Sequence, residues 1–200
     1  MSRRKTWREK LAFDNGLPKV VAITGKMSTR WGTGTCAIPA PAEIDALMRQ
    51  VPRGRLVTTN ELRATIARKH GATIGCPITT GIFACIAAHA AEEAAAAGEK
   101  KITPYWRTLK AGGELNPKFP GGIAAIKRRL EAEGHRVVPA GRFGKRFVVA
   151  DYESRLFAQD GRQKGQEVAD DTSDTGVYHV ARAGAGGRRR VVRVAARRRG

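Results

Sequence analysis

The sequence predicts a mixed α/β fold of the winged-helix type: a helix-turn-helix, a short β-hairpin wing and a disordered, basic C-terminal tail. Three observations predict it. Two helical stretches between Thr58 and Ala97 are separated by a short glycine-containing turn. An amphipathic helix from Ile123, stopped by Gly134, is followed by two β-prone runs, 135–139 and 146–150, around a basic tip. In 200 residues, 37 Lys plus Arg oppose 18 Asp plus Glu, a formal net charge of +19 that points to a polyanionic partner, nucleic acid first.

Taken in order, residues 1–40 read as an N-terminal extension of short elements. Thr6 to Phe13 suits a short helix, Lys19 to Ile23 a strand, and Thr33-Gly34-Thr35, between Trp31 and Cys36, a loop. The main domain, 41–158, opens with a helix from Glu43 to Gln50 that carries Ile44, Leu47 and Met48 at helical spacing, with Pro41 suited to its first turn; this helix is expected to pack on the rest of the domain. Val51 to Val57 forms a turn and a short extended piece. Thr58 and Glu61 then have capping-box spacing, which starts a helix from about Thr59 to Lys69 with Leu62 and Ile66 on its apolar side.

Gly71 and Gly75 break that helix, Pro77 restarts the chain, and Thr79 to Ala97 is an alanine-rich second helix ended by Gly98. Thr103 to Leu109 reads as extended and Gly112-Gly113 as a turn. In the next helix Ile123, Ile126 and Leu130 face inward, while Lys127, Arg128 and Arg129 face largely outward. Residues 140–145 form the hairpin tip. From Gln159 to Gly200 the chain is polar, then arginine-rich, a composition that buries no core and is expected to be disordered.

The charge is unevenly spread. The last nineteen residues hold eight Arg and no acid and the first ten are basic, yet residues 11–181 keep +7. The body is thus expected to bind a polyanion, and the tail to add sequence-independent, salt-sensitive affinity. Three cysteines, Cys36, Cys76 and Cys85, imply no disulfide framework and fit a reducing cytoplasm. No signal peptide or membrane span is expected.

Val51-Pro52, Gly54 and Leu56-Val57-Thr58 opening a helix, then Pro104-Tyr105-Trp106-Arg107, Pro120-Gly121-Gly122 and Leu130-Glu131-Ala132-Glu133-Gly134, resemble in order and spacing the DNA-binding domain of alkylguanine-DNA alkyltransferases and their alkyltransferase-like relatives. The resemblance covers about 41–138. In the enzymes the motif reads Pro-Cys-His-Arg: the thiolate accepts the alkyl group, and the histidine acts on it through water, polarised by a glutamate. Here Pro104, Arg107 and Glu133 match, whereas Tyr105 stands at the cysteine and Trp106 at the histidine. A phenol titrating near ~10 replaces a thiolate poorly, and an indole is no base. The alkyltransferase-like proteins also lack the cysteine, commonly with Trp in its place but with the histidine kept, and pass damaged guanine to excision repair.

The resemblance therefore implies a non-catalytic, monomeric binder of double-stranded DNA, cytoplasmic and nucleoid-associated, without cofactor or metal and working with nucleotide excision repair proteins. Pro104, Tyr105, Trp106, Arg107 and Glu133 are its base or lesion pocket. Two uses fit Tyr105 and Trp106: stacking on an extruded base, or packing under the wing. Arg53, Arg55, Arg63, Arg107, Lys110, Arg128, Arg129, Arg142, Lys145 and Arg146 are candidate phosphate contacts. Thr58, Thr59, Thr79, Thr80 and Phe83 complete the DNA-facing set. The family's phosphate-pressing tyrosine corresponds to about Thr59, and its gap-filling arginine has no counterpart in 79–85, where Phe83 is the candidate wedge. His89 to Lys101 is an insertion relative to the family.

Two other classes are carried alongside: a winged-helix regulator or nucleoid-type binder without base flipping, and, ranked below it, an active alkyltransferase using Cys36, Cys76 or Cys85 as a relocated acceptor. Zinc held by His70, Cys76, Cys85 and His89 is a weaker reading than core packing, since the paired short spacings of such sites are absent.

Overall fold

The computed structural model describes residues 3–141, 144 and 146–158. Helix α1 (Trp7–Ala12) starts on a capping box, in which the Thr6 hydroxyl accepts the Glu9 amide and the Glu9 carboxylate accepts the Thr6 amide. Strand β1 (Lys19–Ala22) pairs antiparallel with β2 (Thr35–Ile38), with α2 (Lys26–Trp31) between them. The expected loop is present at Thr33 and Gly34, between α2 and β2, and its last residue, Thr35, opens the strand. Cys36 and Ala37 are buried and need ladder partners for their amides. Gly34 makes the approach possible: its φ is +120°, and a Cβ there would lie 2.3 Å from the Thr73 hydroxyl oxygen.

Helix α3 (Pro41–Arg49) has Pro41 in its first turn and buries Ile44, Leu47 and Met48, largely against α5. Its buried Asp45 accepts from the Thr103 hydroxyl and from Arg49. β3 (Val57–Thr58) leads into α4 (Thr59–Lys69), where the Thr58 hydroxyl accepts the Asn60 amide and Glu61 reaches back to the Thr58 amide at 2.8 Å. Between α4 and α5 lies a two-residue strand, β4 (Ile74–Gly75), parallel to β2, so the N-terminal elements and the turn share one three-stranded sheet. Gly75 is required there, because a Cβ would stand 2.4 Å from the Arg63 carbonyl oxygen.

α5 (Pro77–Ala96) begins two residues before the expected Thr79, since Pro77 suits a first helical position where no amide partner is needed. Its alanines at 84, 87, 88, 90, 91 and 94 are buried, which lets α1, α3 and α4 approach it closely. The segment expected to be extended at 103–109 contains a 3-10 turn, Tyr105–Arg107, because the amides there bond locally: Tyr105 to the Thr103 carbonyl and Arg107 to the Pro104 carbonyl. β5 (Thr108–Leu109) then lies parallel to β3. α6 (Gly122–Glu131) buries Ile126 and Leu130, and β6 (Val137–Ala140) and β7 (Arg146–Val149) form the antiparallel hairpin. The Leu115 amide donates to the Phe147 carbonyl and ties the hairpin to the body.

The architecture is a mixed helix and strand body with three small sheets, a main apolar core in which Tyr105, Leu56, Leu62, Leu109, Leu115 and Leu130 are fully buried, and a smaller apolar cluster of Ile23, Cys36 and Cys76. Among the described residues no helix is long and apolar enough to cross a membrane. The hairpin-tip residues Arg142 and Lys145 and the expected tail, 159–200, lie outside the described residues.

Candidate functional site

Three segments distant in sequence, those of Gly54, of Trp106–Arg107 and of Glu133 itself, meet at the Glu133 carboxylate, just beyond α6. Trp106 donates its indole N–H to Oε1 at 2.8 Å, Arg107 donates Nη2 to Oε1 and Nε to both oxygens at 2.8 to 3.1 Å, and the Gly54 amide donates to Oε2 at 3.2 Å. Arg107 spends Nη1 on the Val51 carbonyl at 2.7 Å. The pair is nearly dry, with the Arg107 and Glu133 side chains 14% and 8% exposed. Burial opposes ionisation of Glu133, but Arg107, Trp106 and Gly54 outweigh it and hold the carboxyl below its ordinary value.

The 3-10 turn that presents Trp106 and Arg107 turns Tyr105 the other way. Its ring is buried edge-on against Trp106 and Phe119, with centroids 5.5 and 5.6 Å away, and its hydroxyl donates to Glu92 on α5 at 2.8 Å. Burial, with Glu92 beside it, pushes the phenol well above its ordinary value. Arg129 donates to the same Glu92 oxygen, with its guanidinium 4.5 Å from the Trp106 centroid and 5.4 Å from that of Tyr105. Trp106 and Arg129 are half-buried, and the Arg129 and Glu92 side chains are about one-third exposed, at 30% and 34%.

Several candidates are thereby relocated. Arg107, expected at a phosphate, is consumed by Glu133 and Val51, and Arg129 is held by Glu92. Thr58 and Thr80, expected on the DNA side, are 3% and 0% exposed, because one caps α4 and the other lies on the core side of α5. Tyr105 is in the core and Phe83 packs half-buried against it. Pro104 is buried as the residue before the turn, and Thr59 and Thr79 are half-buried. The outward side chains of α5 near its start are instead Ile78 and Ile82, 57% and 50% exposed.

Other candidates remain at the surface. Arg53 and Arg55 are exposed, each giving one N–H to a carbonyl, of Ala132 and Leu156, out of five available. Arg63, half-buried, bridges the turn by donating to the Gly75 carbonyl and to Asn60. Lys110 and Arg146 converge on Glu114, at 2.6 and 3.7 Å, beside the start of α4, and Arg128 is exposed on α6. The residues weighed as zinc ligands are scattered: His70 lies on Glu43, Cys76 beside Cys36, Cys85 beside Asn116, and His89 is stacked on Trp7.

Sequence reasoning missed Glu92 and the Gly54 amide. An acidic pair, Glu92-Glu93, interrupting an alanine run was the visible signal for the first. The second left none, since a backbone N–H is the same in every residue but proline.

No family model matches the chain, and no curated protein matches it. The structure is similar to the crystal structure of S. pombe Atl1 in complex with damaged DNA containing O6-carboxymethylguanine, at 17% sequence identity and a TM-score of 0.38, over 58% of this chain and 93% of that one.

Proposed function

We propose that this chain is a non-catalytic, alkyltransferase-like protein whose winged-helix domain, residues 41–158, binds duplex DNA, tests alkylated guanine at the Trp106 turn and leaves the lesion to excision-repair proteins. The observation that carries this reading is the meeting at Glu133. Three of the segments that bear the family resemblance, 51–58, 104–107 and 130–134, are joined there by hydrogen bonds from Gly54, Trp106 and Arg107, with Arg107 also bonded to the Val51 carbonyl. That convergence supports reading the three segments together as one site.

The same geometry supports a binding role over alkyl transfer. Tyr105 is buried, neutral and committed to Glu92. Trp106 has only a donor to offer, and Glu133 is occupied holding it. Trp106 is half-buried, with the Arg129 guanidinium 4.5 Å from its ring centre, and an indole and a guanidinium are the groups suited to stacking on a nucleobase. The exposed arginines Arg53, Arg55 and Arg128 supply phosphate contacts, and the tail adds affinity without specificity.

One observation favours a second reading, a duplex binder or regulator that does not flip bases. α5, the helix expected to enter a groove, contains no Lys or Arg and presents Ile78 and Ile82. Titrating the full chain against matched duplexes, one with a single alkylated guanine and one unmodified, at two salt concentrations decides between them. A preference of about tenfold, ~1.4 kcal/mol, that survives high salt is expected for a lesion sensor. Equal binding would overturn that reading in favour of the general binder. Trp106→Phe, which removes the indole donor and keeps a ring, is expected to reduce the preference while leaving affinity for unmodified duplex within about twofold, ~0.4 kcal/mol.

A further inference from the structure

Away from the Trp106 turn, the fold brings two of the three cysteines together. Cys36 lies in β2 and Cys76 is the residue before α5. In the parallel pairing of β2 with β4, Cys36 is opposite Ile74 and Ala37 opposite Gly75, and the Cys76 amide continues the ladder by donating to the Ala37 carbonyl at 2.8 Å. The two side chains form an apolar cluster with Ile23, against which Trp31, Val21 and Ile74 pack, and they are 2% and 6% exposed. The two thiols are neighbours in this cluster. Cys85 is elsewhere, half-buried beside Asn116.

We infer that Cys36 and Cys76 are an oxidisable dithiol, closed to a disulfide by hydrogen peroxide and reopened by thiol reductants. Cys76, at the start of a long helix and the more exposed of the two, is the attacking sulfur. Its thiolate bonds to one peroxide oxygen as the O–O bond breaks, giving a sulfenic acid and a hydroxide that takes up a proton to become water. The Cys36 sulfur, on losing its proton, then attacks the Cys76 sulfur. The S–S bond forms, the S–O bond breaks, and the departing hydroxide collects that proton as a second water. Two thiols are oxidised by two electrons and one peroxide is reduced to two waters.

The surroundings of the two sulfurs fit these roles. Burial opposes ionisation of Cys76, yet Thr79 and Ile78 in the first turn of α5 leave its thiol below the ordinary value. Burial, then the neighbouring Cys76, pushes the Cys36 thiol up to about 11, which suits the sulfur that acts second. The bond would staple the β1–β2 hairpin to the turn between α4 and α5, independently of any DNA reading.

The test treats the reduced full chain with graded hydrogen peroxide, blocks remaining thiols and measures intact mass and peptide connectivity. The expected product is lighter by about 2 Da before blocking, carries one blocked thiol, shows the peptides of Cys36 and Cys76 joined, and returns to three blocked thiols after reduction. Cys85→Ser, which leaves the pair untouched, is expected to give the same linkage with no blocked thiol. In denaturant the Cys36–Cys76 preference is expected to vanish. A bridge through Cys85, equal linkage in the unfolded chain, or oxygen added to single cysteines with no joined peptide would overturn the inference.

Discussion

Two carboxylates on either side of the Tyr105–Trp106 turn make the same kind of bond in different surroundings. Glu133 accepts from an indole and an arginine, Trp106 and Arg107; Glu92 accepts from a phenol and an arginine, Tyr105 and Arg129. The first ion pair is nearly dry, with side chains 14% and 8% exposed, whereas the second is about one-third open, at 30% and 34%. Water screens the second pair and competes for its partners, so similar contact lists carry different energies. The Glu133 side fixes the turn to the body, whereas the Glu92 side holds Arg129 in a contact that water reaches.

The largest expected effect is that of Glu133→Ala. It leaves the Arg107 guanidinium buried without its counter-charge and is expected to cost about 3–5 kcal/mol, read from guanidinium denaturation curves. A loss below about 1 kcal/mol would show that the two carboxylates are equivalent after all.

Acid sharpens the same contrast. Because Glu133 titrates lower in the folded chain than unfolded, its contribution is fully present above its ordinary value of 4.5 and is lost as pH falls through the lower folded value. Stability curves of wild type and Glu133→Gln are expected to lie apart above 4.5 and to converge as pH falls through the lowered folded value. Parallel curves across that range would remove Glu133 from the acid transition. Alkali acts on the other side of the turn: Tyr105 is raised, so its contribution is present below 10 and is lost as pH rises beyond that.

Tyr105→Phe keeps the buried ring and deletes one hydrogen bond to a carboxylate that Arg129 still occupies. About 1 kcal/mol is expected. The smallest effect is that of Glu92→Gln, with about 0.5 kcal/mol expected from thermal or chemical melts, shrinking further in high salt. If Glu92→Gln cost as much as Glu133→Ala, exposure would not be what separates the two carboxylates.

Much of the frame was readable before the structure. Pro41 with Ile44, Leu47 and Met48 predicted α3, the Thr58–Glu61 box located the start of α4, and Gly134 with the two β-prone runs after it located the hairpin. These signals are local, because a cap or a period is written in adjacent residues. The misread elements depend on distant partners. The residues read as a loop around Gly34 include the start of a strand only because β1 and β4 flank β2, and 103–109 turns instead of extending because its amides bond within the turn.

The candidate site divides in the same way. Sequence alone determined which chemistry is present: Tyr105 and Trp106 where the resembling enzymes carry cysteine and histidine, a surplus of arginine, and a capped start to α4. Only the tertiary structure decided what each side chain is free to do. It buried Tyr105, Thr58 and Thr80, spent Arg107 on Glu133 and Arg129 on Glu92, and set Cys36 beside Cys76. The physical reason is that a residue's type fixes the bonds it can make, while burial and the groups folded against it fix which of them are already made.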